Sequence, residues 1–403
     1  MIVIAARLAL LFAIVGSIST TVYLALVIIG VCYLRKSSRR AANKTPDLPP
    51  VSILKPLHGM EPQLEENLRS FFEQQYASFE ILFAADDEDD QALEIVRKLS
   101  AKYPDVRVRV LVTGKPGFFN PPAYSFYRMG EVAAHDIWVT SDSDVSVTPD
   151  YLREISPALL DPSVGMVTCV YRGASTRGFW SLMDALGMSV EMTAGVLVAN
   201  LLEGMKFGLG PTIAVRKDSI EKIGGFQAVG EYFSNDFMIG NLIEKAGYRV
   251  LLSNHPVTHV VPPMTARQMW NRQVRWAVGT RYSRPKGHLG TLMTLAMPFG
   301  ILGFFAGACS GHLALGLWLF GMALANRMIE SAVVGGIVVH DSRAVRFAWL
   351  YPLRDFLGFL VWCASYCNSK AVWRGKNFTL TKDGKIALRQ VIRANDSPGT
   401  MPQ

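Results

Sequence analysis

The sequence is short of cysteine, of histidine and of charge: its 403 residues hold 5 Cys and 7 His, and only 18% are Asp, Glu, Lys or Arg. Cys32, Cys169, Cys309, Cys363 and Cys367 make no C-x-x-C pair, and three or four of them lie in apolar runs, which argues against a disulfide framework. No histidines stand at a metal-like spacing. His255 and His259 read as structural, and His58 lies in the first loop of the polar part. Acidic residues are also outnumbered, 33 against 41 basic ones, for a net charge of +8. Much of that excess flanks apolar segments, where anionic lipid headgroups attract it, so the expected partner is a bilayer surface and no nucleic acid.

What the sequence has instead is long apolar runs. Leu8 to Leu34 carries no charged side chain, and about 20 such residues suffice for a spanning helix. The run continues into Arg35, Lys36, Arg39 and Arg40 without a cleavage-type end, so it reads as an uncleaved anchor with its C-terminal end in the cytoplasm. A second apolar block runs from Leu289 to about Tyr366 and is expected to hold three or so crossings. Three would send the tail with Lys370, Arg374, Lys376, Lys382 and Lys385 outward, against the positive-inside tendency. A re-entrant or split segment would remove that conflict.

Between the blocks the hydrophobic period alternates between strand-like and helix-like, which predicts a mainly parallel α/β sheet. Strands are expected at Val51 to Leu54, Phe79 to Ala84, Val106 to Val112 and Ile137 to Thr140, with helices from about Pro62 to Glu73 and Asp90 to Lys102. The predicted units are residues 1–40 (anchor), 41–50 (linker), 51–288 (catalytic domain), 289–367 (membrane helices) and 368–403 (basic tail). In such sheets ligands bind beyond the carboxyl ends of the strands. The residues there are acidic: Asp86 to Asp90 after the second strand and Asp142-Ser143-Asp144 after the fourth.

A D-x-D triplet on an extended backbone sends both carboxylates to one side, where they can share a hard cation such as Mg²⁺ or Mn²⁺ with substrate phosphates. Asp236 opens an amphipathic helix with Met238, Leu242 and Ile243, and by itself would be a first-turn acid. Further on, Arg272-Gln273-Val274-Arg275-Trp276 lies in a stretch with Arg267, Trp270, Arg281, Arg284 and Lys286. It reads as an interfacial helix whose guanidinium groups could grip a diphosphate. The apolar stretch Phe179 to Leu202 either lines a lipid path or forms a core helix, and Gly208-Leu209-Gly210 and Gly224-Gly225-Phe226 read as tight turns.

In that order, the acidic loop, D-x-D, the later single Asp and R-x-x-R-W resemble the ceramide glucosyltransferase family, glycosyltransferase family 21. Val51-Ser52-Ile53-Leu54-Lys55-Pro56-Leu57-His58-Gly59 resembles that family's first strand and loop, and the similarity runs from about Val51 to Gly287. The resemblance implies a GT-A type nucleotide-diphospho-sugar transferase domain flanked by transmembrane helices. It implies donor binding by Lys55, Asp87, Asp142 and Asp144, with a divalent metal, Mg²⁺ or Mn²⁺, on Asp142 and Asp144. It also implies Asp236 as catalytic base and Arg272, Arg275 and Trp276 as the terminal motif. One departure stands out: where the family often has Asn-x-Lys-x-x-Asn, this chain has Asn120-Pro121-Pro122-Ala123-Tyr124-Ser125, without the lysine.

The expected function is an inverting glycosyltransferase carrying a hexose from a UDP-sugar donor to a membrane lipid acceptor, ceramide or a hopanoid. The expected location is a bacterial inner membrane with the catalytic domain cytoplasmic. Other readings are a hopanoid N-acetylglucosaminyltransferase, a processive polysaccharide synthase, which needs more crossing helices, and a silent nucleotide-sugar-binding membrane protein.

Overall fold

The computed structural model describes residues 2–41, 48–367, 370–373, 376–381 and 383–387. Linker residues 42–47 and, in the basic tail, Arg374, Lys382 and residues 388–403 lie outside the described residues. The chain opens with α1 (Ile2–Ala41), whose first 36 residues are long and apolar enough to cross a membrane. An alternating series follows: β1 (Val51–Pro56), α2 (Leu64–Phe72), β2 (Phe79–Ala85), α3 (Ala92–Lys102), β3 (Arg107–Val112), α4 (Pro121–Gly130) and β4 (Ile137–Ser141). The predicted strands and helices fall within a couple of residues of these. Their apolar period decides them: Leu64, Leu68, Phe71 and Phe72 bury one face of α2, and Val51, Ile53 and Leu54 of β1 are fully buried.

The second half of the sheet domain holds β5 (Val145–Ser146), α5 (Tyr151–Ile155), β6 (Val164–Ser175), α6 (Phe179–Leu186), α7 (Thr193–Glu203), β7 (Thr212–Arg216), α8 (Lys217–Lys222), α9 (Asn235–Lys245), β8 (Arg249–Val261) and α10 (Ala266–Ser283). Strand order is β3-β2-β1-β4-β7-β6-β8-β5. The four strands β3-β2-β1-β4 are parallel, but β7 runs antiparallel to both β4 and β6, and β5 antiparallel to β8. The sheet is therefore mixed, its β3-β2-β1-β4 half parallel as expected and β6 also parallel to β8, with β7 and β5 the reversed strands. The reversal of β7 arises because the chain returns from α7 through the Gly204 to Pro211 loop and enters β7 from the opposite end. The order reverses between β1 and β4, the switch point at which α/β sheets open a ligand crevice.

The apolar stretch after β6 forms one rod in which α6 and α7 are joined by a π-helical turn at Gly187–Met192. It is both long and apolar enough to span and tied to the sheet: Ser181 Oγ donates to the Val261 carbonyl, and Leu197 packs against Gly30 of α1.

Beyond α10 come α11 (Pro285–Thr291), α12 (Ala296–Ser310), α13 (Leu313–Val333), α14 (Ser342–Arg346), α15 (Tyr351–Cys367) and a small antiparallel sheet of β9 (Lys370–Trp373), β10 (Lys376–Leu380) and β11 (Ile386–Ala387). α12 and α13 pair as an antiparallel hairpin through small residues, Gly300 on Ala323 and Gly307 on Gly316. Leu10 and Ala13 of α1 close an apolar cluster with Ala306 and Leu319. Within this block Leu313–Val338 is long and apolar enough to cross a membrane, and Pro285–Thr294 with Ala296–Ser310, bent by 47°, is so only as a pair. α15 instead lies along α10: Arg354 Nη2 donates to Gln273 Oε1 at 2.8 Å near one end, and Arg281 Nη1 to the Ser365 carbonyl at the other. The last strands return to the sheet domain, with Phe233 N donating to the Gly384 carbonyl at 3.1 Å and Ile386 N to the Glu231 carbonyl at 2.8 Å.

Candidate active site

The C-terminal ends of β1 and β4 carry the first two site residues. Lys55, near the end of β1, is fully buried. Its Nζ donates to the Asp142 carbonyl at 2.7 Å, reaches Ser141 Oγ at 3.4 Å, and stands 3.7 Å from the centre of the Phe71 ring. Burial pushes the amine down to about 7, against the attraction of Asp142, Asp144 and Glu61. The D-x-D loop is fixed from every side. Asp142 N donates to the Pro211 carbonyl, Asn67 Nδ2 to the Ser143 carbonyl, Ser143 Oγ to Glu61 Oε2 at 2.6 Å and Val260 N to the Asp144 carbonyl at 2.8 Å.

The two carboxylates are driven apart electrically. Burial raises Asp142 well above the usual carboxylate range, helped by the charge of Asp144 and then of Asp236. Burial acts on Asp144 the same way but is outweighed by His259, Arg272 and Lys55, so Asp144 is lowered. His259 faces it because β5 pairs with β8, Val145 opposite His259, and His259 Nε2 stands 3.1 Å from Asp144 Oδ2.

Asp236 sits in the first turn of α9. The N–H groups of Gly210, Phe237 and its own residue hold its carboxylate, yet burial raises it from the ordinary value. The Gly208-Leu209-Gly210 turn lies directly against it. A β-carbon on Gly210 would stand 3.0 Å from Asp236 Oδ2, and one on Gly208 2.7 Å from the Asp236 carbonyl. Gly224 and Gly225 have φ of 93° and 76° and turn the chain into Phe226, which stacks on Trp138 rather than reaching Asp236.

On α10, Thr265 and Gln268 form a reciprocal capping box. Arg272, Arg275 and Trp276, spaced i, i+3 and i+4, then share one face. Arg272 Nη2 reaches His259 Nε2 at 3.0 Å, and its guanidinium lies 4.6 Å from the centre of the Trp276 ring. Burial, then the like charge of Arg272, lowers Arg275 to about 10, with Asp184 opposing. Asp142, Asp144, Asp236, Arg272 and Arg275 thus belong to one electrostatic cluster. Asp87 does not join it among the described contacts. It is exposed at the same sheet edge, its Oδ1 accepting from Asp89 N, while Asp90 ties Gly59 N to the start of α3. His58 is exposed.

Sequence reasoning missed His259 as a site residue, and with it Glu61, Asp184 and Gln273. No local pattern marks Glu61, Asp184 or His259, and Gln273 stands at a position that R-x-x-R-W leaves open; His259 meets Asp144 through a long-range strand pairing.

The donor set suits a hard divalent cation. Asp144 Oδ1 is buried with no hydrogen-bond partner, and Asp142 carries an electrostatic load that a cation would relieve. No group of three metal-ligating side chains converges among the described residues. Such an ion would therefore take much of its coordination from water and substrate phosphate, the usual habit of Mg²⁺.

The family model of glycosyl transferase family 21 matches residues 10–386. Ceramide glucosyltransferase 1 of Caenorhabditis elegans is 26% identical over 385 residues, covering 93% of this chain and 81% of the relative. Ceramide glucosyltransferase 3 of the same organism is 25% identical over 267 residues, 66% of this chain and 58% of the relative. Among solved structures, the mannosyltransferase PcManGT from Pyrobaculum calidifontis, in complex with GDP-Man and Mn²⁺, is similar at 19% identity and a TM-score of 0.46, over 86% of this chain and 98% of that one.

Proposed function

Since the chain belongs to glycosyl transferase family 21 and is a glycosyltransferase, we propose that it moves a hexose from a UDP-sugar to the hydroxyl of a membrane lipid, with ceramide and glucose as the leading pair. The catalytic domain in this reading is residues 51–288. The observation that carries it is the run Asp144, His259, Arg272, spaced 3.1 Å and 3.0 Å, which joins the D-x-D loop to the R-x-x-R-W helix although the two are far apart in sequence.

Asp236 is the catalytic base and accepts the proton of the attacking lipid hydroxyl. Its raised carboxyl is a stronger base than an exposed one, and the three N–H groups keep it oriented. A single base on the acceptor side suits one in-line displacement with inversion. Asp142 and Asp144 would hold the divalent metal, Mg²⁺ or Mn²⁺, which when bound neutralises charge on the leaving diphosphate. Arg272 and Arg275 face the same diphosphate, where a buried pair of like charges gains an anion. Asp87 contacts the nucleotide at the rim, and Lys55 supports the site from beneath through the Asp142 carbonyl.

α1, α12 and α13 are the crossing helices, with the amino terminus outside, α15 at the interface, and the sheet domain and last strands together on the cytoplasmic side. A bacterial inner membrane is the proposed site. Three crossings leave little for the polymer channel of a processive synthase.

The test is transfer of label from UDP-glucose and UDP-N-acetylglucosamine to ceramide and to a hopanoid polyol, with Mg²⁺ or Mn²⁺, beside Asp236→Asn. A glycolipid formed by the wild type alone supports the proposal and names the substrates, the hopanoid product replacing ceramide as acceptor. UDP binding with no transfer to either lipid overturns it in favour of a silent binder.

A further inference from the structure

Asp184 and Arg354 belong to no motif and touch none of the carboxylates assigned above. Asp184 lies on α6, in an otherwise apolar rod, with no exposed surface. A carboxylate buried among apolar residues is costly unless its partners are held in place, so what it faces is informative. Its Oδ1 accepts from Gln273 Nε2 at 2.5 Å, and its Oδ2, which has no hydrogen-bond partner, stands 3.4 Å from Arg272 Nε. Asp184 therefore grips two successive residues of the R-x-x-R-W helix and is a counter-charge to both of its arginines.

Gln273 is itself held from the other side. Arg354 of α15 donates to Gln273 Oε1 at 2.8 Å and pairs with Glu191 Oε2 at 2.8 Å, on the π-helical turn of the rod that carries Asp184. That turn brings Gly187 against the guanidinium, so closely that a β-carbon there would stand 2.5 Å from Arg354 Nε and Nη2. The next residue, Asp355, faces the membrane hairpin and accepts from Met297 N at 2.8 Å and Arg327 Nη1 at 3.3 Å. α15 thus places adjacent charges on opposite sides, one into the catalytic helix and one into the membrane part.

We propose that Asp184 and Arg354 are positioning residues: through Gln273 they hold the Arg272 guanidinium at the diphosphate subsite, so that the surface helix α15 is a working part of the nucleotide site. The inference rests on the reading above that Arg272 faces the donor diphosphate.

The test uses the full chain in detergent and compares affinities for UDP and for uridine, each with Mg²⁺, by calorimetry. The double variant Asp184→Asn/Gln273→Glu keeps net charge and a hydrogen-bonded pair while taking the carboxylate away from Arg272. Gly187→Ala pushes only the flexible end of Arg354. The expected result is a thermal midpoint close to wild type and a preference for UDP over uridine lowered about tenfold in the double variant, the worth of one misaligned charge-assisted hydrogen bond, with a smaller loss in the same direction for Gly187→Ala. If the double variant does not fold, Gly187→Ala decides. A UDP preference unchanged in a folded variant overturns the proposal. A wild type that binds UDP no better than uridine overturns instead the assignment of Arg272 to the diphosphate.

Discussion

The ammonium of Lys55 lies beneath the main chain of Asp142, 2.7 Å from its carbonyl oxygen, in a space closed on the other side by the Phe71 ring. A lysine so buried is a poor proton holder, which gives it a signature in stability. In the unfolded chain the amine titrates near its ordinary 10.5, in the folded one near about 7. Between those values the unfolded state binds more protons, so this group's contribution to stability rises with pH across the window and is lost as pH falls toward 7. Relative to Lys55→Met at the same pH, the wild type should gain up to a few kcal/mol between about pH 7 and pH 9.5, read from paired thermal midpoints. A difference that stays constant over that window would refute the buried amine.

Asp236→Asn keeps the size of the side chain and one acceptor oxygen but cannot accept a proton. Turnover should fall by roughly 10²–10⁴-fold while UDP affinity stays within about twofold. The raised carboxyl of the wild type should also place the acid limb of its kcat/KM profile above the ordinary aspartate range. An acid limb at the ordinary value would mean that another group is the base.

Two neighbouring glycines should separate chemistry from folding. Gly210→Ala sets a methyl 3.0 Å from Asp236 Oδ2 and should lower kcat by about tenfold with little loss of stability. Gly240→Ala meets main chain, Phe207 C at 2.4 Å and Gly208 N at 2.5 Å, and should destabilise the fold by about 1–3 kcal/mol. Denaturation curves and turnover of both variants are the measurement, and equal effects on both readouts would argue against the division.

Asp144→Asn should weaken Mn²⁺ binding in the presence of UDP by at least about tenfold, measured by electron paramagnetic resonance. Asp150→Asn, an acid beside Thr148 outside the cluster, is the control and should leave it unchanged. Loss of Mn²⁺ binding in both, or in neither, would remove Asp144 from the metal site.

The polypeptide's last strands should be reachable from the same face of the membrane as the sheet domain. A tag after Gln403, probed in sealed inverted vesicles, should be cleaved by added protease. Protection of that tag would reverse the proposed path of α15.

The parts legible in the sequence were those whose signal is local. β1, β2 and β4 are mostly apolar runs, and Asp142, Asp144 and Asp236 stand at or just beyond element ends. The packing of α15 was not legible, because apolarity and length do not reveal that Arg354 and Ser365 bond back to α10. Asp184 was lost in the hydropathy of its rod. His259 became a site residue only through the register of β8 with β5, a pairing that no window of sequence contains.

The order in which a ribosome delivers this chain adds a final consequence. Glu231 and Phe233, just ahead of Asp236, take main-chain partners from Ile386 and Gly384. Those partners emerge only after α12 and α13 have been translated, so the loop leading to Asp236 is completed last, once both hairpin helices have been made.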